Sequence, residues 1–220
     1  MHISDLARRW IVANFITMVA TAAFGLVGFW VRYWLDVESA DAALFARICY
    51  VAAESVMSAA CLLLYAQLAG AVLRRIVPAL PWRRWLALHL VIGLAAGAAT
   101  GALLAEPGNS EPIDWNDTGI LLFLFAVVPI GGAVLGAVIG GLQALILRRV
   151  AHGAGTWIAF SALATGVMLT IVVGAFPFSP LGSTFAAEAV VQGVTVLAGV
   201  VSAIVMVPAL RHLRARTTAG

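Results

Sequence analysis

The sequence predicts an all-α polytopic membrane protein: a bundle of six transmembrane helices forming a single transmembrane domain over residues 1–220. Three observations carry this. Of the 220 residues, 63% are hydrophobic and only 10% charged, whereas soluble domains are roughly 45–50% apolar and about 25% charged. Apolar runs of about 20 residues, the length that crosses a bilayer core, occur six times. All the basic residues are arginines, and most of them collect at alternate ends of those runs.

The first run, Trp10–Val31, follows Arg8 and Arg9. It is longer than the apolar region of a secretory signal and lacks a small-x-small cleavage site, so it reads as a retained signal anchor. The second, Ile48–Leu73, is interrupted by Glu54 and holds both cysteines, Cys49 and Cys61. Twelve residues of helix separate these by about 18 Å, too far to bridge, and they form no metal-ligand spacing. The third, Trp85–Ala105, contains His89. In the following loop Asp114, Asn116, Thr118 and Gly119 imitate the start of a calcium loop, but position twelve is Phe125 where a bidentate glutamate is needed. Asp117 or Thr118 is expected instead to cap the fourth run, Ile120–Leu147, which Pro129 should kink. Trp157–Phe176 and Ala189–Leu210 complete the set.

With six spans, Arg8, Arg9, Arg74, Arg75, Arg83, Arg84, Arg148, Arg149, Arg211, Arg214 and Arg216 fall on one side. Asp36, Glu38, Asp41, Glu106, Glu111, Asp114, Asp117 and Glu188 fall on the other, with Arg32 and Arg47. The positive side should be cytoplasmic, which puts both termini inside a bacterial inner membrane; arginine used to the exclusion of lysine points to a GC-rich genome. The net charge of +3 does not imply nucleic acid, because the arginines sit at membrane boundaries where topology and anionic headgroups account for them. The expected partners are the lipid bilayer and either a membrane-protein subunit or a second copy of the chain.

The punctuation repeats. Tryptophan opens the outgoing helices at Trp10, Trp85 and Trp157, and arginine ends the returning ones at Arg74-Arg75, Arg148-Arg149 and Arg211. Three copies of a two-helix hairpin would give this spacing; so would interfacial tryptophans and cytoplasmic arginines in any six-span protein. Two spans carry glycine at every fourth position: Gly93, Gly97 and Gly101 in the third, and Gly132, Gly136 and Gly140 in the fourth. Lipid supplies little hydrophobic drive between helices, so glycine faces that admit close backbone approach serve as adhesive. The simplest expectation packs the third and fourth spans against each other; the alternative turns one zipper outward to another subunit.

Ionisable and polar residues within spans are costly and often functional. Glu54, Ser58, Cys61 and Tyr65 form one stripe on the second span, and Glu188, Gln192, Thr195 and Ser202 another on the sixth. His89 and Thr100 share a face of the third, Gln143 continues the glycine face of the fourth, and Asn14 and Thr21 mark the first. Converging, these faces would form a polar seam for a solute or proton path; otherwise they are ordinary interhelical hydrogen bonds. Arg47, seven residues before Glu54, is a candidate partner for it, and Glu188 also suits the N-terminus of its own helix. His89 is the only histidine inside a span, so a two-histidine haem site is not available in one chain, and a hydrogen-bonded spacer is favoured over a pigment ligand. No cofactor, metal site or catalytic signature is found, so the chain reads as non-enzymatic.

The segment IGGLQALILRRVAHGAGTWIAFSALATGV, residues 139–167, resembles a hairpin of bacterial multi-pass proteins with no assigned function. In that pattern glycine and glutamine precede a Leu-Arg-Arg end, then a short turn and a tryptophan; Gly140, Gln143, Arg148, Arg149 and Trp157 match, and Ala144 replaces a frequent tryptophan. The resemblance implies no activity. In size and topology the chain is also similar to the membrane substrate-binding components of energy-coupling vitamin transporters. The sequence thus favours an accessory or assembly subunit acting through helix contacts. The alternative is a small-solute or proton-coupled transporter, or a substrate-binding membrane component, built on the seam.

Overall fold

The computed structural model describes residues 3–35, 37, 43–105, 118–175 and 185–216. The helices are α1 (Ile3–Trp34), α2 (Leu44–Leu73), α3 (Trp82–Leu104), α4 (Thr118–Leu122), α5 (Val128–Leu147), α6 (Ala154–Ala175) and α7 (Phe185–His212). A π-helical turn, Phe123–Val127, joins α4 to α5 as one span. Six spans are therefore long and apolar enough to cross a bilayer, and the protein is an all-α, multi-pass membrane protein. The calcium-like residues Asp114 and Asn116, the candidate cap Asp117, and most of the acidic loop residues lie outside the described residues.

Several helices outrun the apolar segments that predict them. The first begins at Ile3, with a polar turn that carries an exposed Asp5–Arg8 ion pair at 3.6 Å. The expected disturbance at Pro129 takes the form of the π turn just before it. Proline lacks an N–H and its ring crowds the carbonyl four residues back, here that of Phe125, and the wider turn accommodates both demands.

Around the bundle the helices follow chain order, α1, α2, α3, α5, α6, α7, and α7 closes back on α1. The expectation that the two glycine zippers pack against each other is overturned. Gly93, Gly97 and Gly101 lie on α2, where a Cβ at Gly93 would come within 2.6 Å of the Ala59 Cα and one at Gly101 within 2.9 Å of the Val51 Cα. Gly136 and Gly140 lie on α6, where added Cβ atoms would sit 2.6 Å from Thr165 Oγ1 and from Ser161 Cβ; Gly132 faces Leu169 of the same helix. The reason is steric. Each zipper admits the close approach of one neighbour, Val51, Ser55 and Ala59 of α2 for the first and Ser161, Thr165 and Leu169 of α6 for the second, while α3 and α5 meet along the thinnest seam of the ring.

The core is concentrated at the arginine-rich end. Trp10, Trp85 and Trp157, at the starts of α1, α3 and α6, are at most 1% exposed, so they are interior side chains and not residues of a lipid-facing belt. Leu73, Val77, Leu147, Ala209, Leu210 and Leu213 pack in the same cluster. A two-residue antiparallel pair, β1 (Ala151–His152) with β2 (Arg214–Ala215), ties the segment after α7 to the α5–α6 turn. That turn needs Gly153, whose φ of +82° places it in the left-handed region, and a Cβ there would strike the His212 carbonyl.

Candidate functional site: a central polar cavity

Inside the ring lies a cavity of about 540 Å³ lined by residues of all six spans. Of the polar residues singled out in the sequence, Asn14, Thr21, Glu54, Ser58, Cys61, Tyr65, His89, Gln143, Gln192, Thr195 and Ser202 line it, whereas Thr100 does not. Glu188 is not among the lining residues, but its Oε1 accepts a hydrogen bond from Gln192 Nε2 at 2.7 Å. The stripe Glu54-Ser58-Cys61-Tyr65 runs along the α2 side of the cavity, spanning about 16 Å from end to end at 1.5 Å per residue.

The floor is a polar and aromatic network spanning four helices. Trp157 Nε1 donates to Gln143 Oε1 at 2.7 Å, and Gln143 Nε2 lies 3.0 Å from His89 Nε2. An indole N–H can only donate, which fixes the amide orientation: its oxygen meets Trp157 and its NH₂ meets the imidazole. His89 Nε2 is therefore the acceptor, and its Nδ1–H donates to the Trp85 carbonyl at 2.7 Å. Trp85 Nε1 in turn donates to the Ala66 carbonyl at 3.0 Å. This set of bonds requires the neutral Nδ1–H tautomer, and it makes His89 the hydrogen-bonded spacer between helices. Edge-to-face contacts extend the floor, with Trp10 against Trp157 at 5.7 Å and against Tyr65 at 6.3 Å.

Toward the other end Glu54, Gln192 and Thr195 are only partly buried, whereas Tyr50 is fully buried. Glu54 lies opposite Gly28 of α1, where a Cβ would strike its carboxylate. Its own backbone and Cβ pack on Gly97 and Gly101 of α3. The carboxylate pairs with the Tyr50 hydroxyl one turn earlier, and the charges acting on it are those of Arg32 and Glu188. The sequence marks neither Tyr50 nor Gly28 and places Arg32 on the acidic side without linking it to Glu54. Tyr50 was detectable, as it precedes Glu54 by four residues on the same face; Gly28 and Arg32 come from another helix, and no local pattern marks them.

The threonines around the cavity satisfy themselves locally. Thr17, Thr165 and Thr195 each donate to the carbonyl four residues earlier, at 2.9 Å. Asn14 Nδ2 does the same to the Trp10 carbonyl at 2.8 Å. These bonds make hydroxyls and amides tolerable within a membrane, and they turn oxygen lone pairs toward the cavity. Among the described residues no three of His, Cys, Asp and Glu are grouped so as to hold a metal ion, and Cys49 and Cys61 are free thiols.

Fold and site together define a class: a polytopic α-helical membrane protein built around one internal polar cavity. In comparisons with protein-family models, curated proteins and solved structures, nothing matches the chain.

Proposed function

We propose that this protein is a solute-binding membrane component, acting in the uptake or transport of a small amphipathic molecule, and that the molecule occupies the central cavity. The observation that carries the reading is that one polar face from every span borders the same cavity of about 540 Å³. That volume is within the range of small-ligand pockets, roughly 300–1,000 Å³, and so is the composition: a mostly apolar wall with a few placed polar groups. The glycine zippers weigh against the accessory-subunit alternative, since both are used in packing the bundle itself on α2 and α6. Following the positive-inside tendency, we assign the arginine-rich end and both termini to the cytoplasm of a bacterial cell. The cavity floor then lies on the cytoplasmic side and Glu54 toward the outside.

Native mass spectrometry of the chain, released from its own membrane in mild detergent, tests this. The expected result is one non-lipid small molecule per chain, lost in Glu54→Gln while that variant remains folded. A stoichiometric protein partner with no retained solute would overturn the reading in favour of an assembly subunit.

A further inference from the structure

The side chains around the cavity point to the chemistry the solute carries. A hydroxyl whose single proton is committed offers only lone pairs, and an amide that has committed an N–H keeps its oxygen available. Thr17, Thr165 and Thr195 have each given their proton to their own helix. Asn14 and Gln192 have each used a side-chain N–H, on the Trp10 carbonyl and on Glu188. At the floor, Gln143 spends both ends on His89 and Trp157. The Trp10 indole N–H makes no hydrogen bond, but it has almost no accessible surface and cannot serve a solute.

What remains facing the cavity mixes acceptors with donors, since Ser58, Ser202 and Tyr65 line it with hydroxyls and Asn14 and Gln192 each keep a second N–H; Glu54 is the one acid among the lining residues, which include no arginine. Along α2 the lining then changes from the carboxylate at Glu54 to the aromatic floor at Tyr65 and Trp10, with Met57, Met168 and Met206 on the walls. Thioether and aromatic groups accept an apolar body without imposing one shape on it.

Building on the proposed solute-binding role, we infer that the ligand is an amphipathic ammonium, with the cationic nitrogen at one end and an apolar or aryl body of up to about 16 Å. The ammonium lies against Glu54 and the body extends toward the floor. Glu54, the one acid in a lining without arginine, selects the cation.

Four probes of matched body separate these terms: 4-phenylbutylammonium, its N,N,N-trimethyl derivative, 4-phenylbutanol and 4-phenylbutyrate. Their binding to the purified wild-type chain is measured by isothermal titration in detergent. The primary ammonium should bind at least about tenfold more tightly than the alcohol, because charge-assisted hydrogen bonds are the strong ones, and the trimethyl derivative, which carries the same charge, should also bind more tightly than the alcohol. Butyrate should bind most weakly, and Glu54→Gln should remove most of the preference for the cation over the alcohol. Equal affinity for ammonium and alcohol, or a preference for butyrate, overturns the substrate class and leaves the cavity as a site for another solute. A trimethyl derivative that binds no more tightly than the alcohol overturns the charge argument. If none of the probes binds and the native chain also carries no small molecule, the underlying solute-binding role fails. The probe series on the unmodified protein decides these outcomes even if Glu54→Gln does not fold.

Discussion

At the scale of single residues, Gln143 has the most demanding position. It is 5% exposed, lies inside a span, and is the only described side chain that bonds both Trp157 and His89. Gln143→Leu would leave an indole N–H and an imidazole nitrogen without partners, a loss of about 1–3 kcal/mol for an unsatisfied buried group. Side-chain hydrogen bonds in membrane bundles average about 0.6 kcal/mol, so the lower half of that range is expected in mixed-micelle unfolding. The tautomer can be checked directly. Nitrogen-15 spectroscopy of His89 should report Nδ1–H and a bare Nε2; the opposite tautomer would mean that the Gln143 amide is turned and the Trp157 bond absent.

At the scale of elements, the glycines divide into two kinds that composition cannot distinguish. An added Cβ at Gly97 would meet the Ser55 Cα at 2.6 Å, and one at Gly136 would meet Thr165 Oγ1 at 2.6 Å, whereas Gly131 and Gly141 have nothing within 4 Å. Gly97→Ala and Gly136→Ala should each destabilise the bundle by about 1–3 kcal/mol by prising α3 from α2 and α5 from α6. Gly131→Ala and Gly141→Ala should be neutral or stabilising by up to about 1 kcal/mol, because alanine is the better helix former and no contact is disturbed. Thermal unfolding of the four variants in one detergent makes the comparison, and a uniform response would show that the zippers are not the contact faces.

At the scale of the whole molecule, the bundle is closed at one end. Most buried aromatic and aliphatic side chains, the short β pair and the floor network gather at the arginine-rich end, while toward the other end Val37, Tyr50 and Ala105 form a small buried cluster and Glu54, Gln192 and Thr195 are only partly buried. The proposed orientation can be measured after Cys49 and Cys61 are replaced by serine. A cysteine at exposed Arg211 should react with an impermeant maleimide only once the membrane is opened. Labelling in intact cells would reverse the orientation and put the floor of the cavity on the outside.

What the sequence determined by itself follows from the bilayer as a solvent: a stretch of about 20 apolar residues has few alternatives to a spanning helix. The six spans were legible for that reason, and so were the polar stripes, because helical periodicity fixes which residues of one helix share a face. Tertiary structure decided how those faces combine. It joined Gln143 to His89 and Trp157, set Gly28 opposite Glu54, buried the three tryptophans that the repeat placed at the membrane boundary, and gave each zipper a different partner from the one expected. The physical reason is that helix packing within a membrane depends on steric fit between two surfaces, and a single helix sequence carries only one of them.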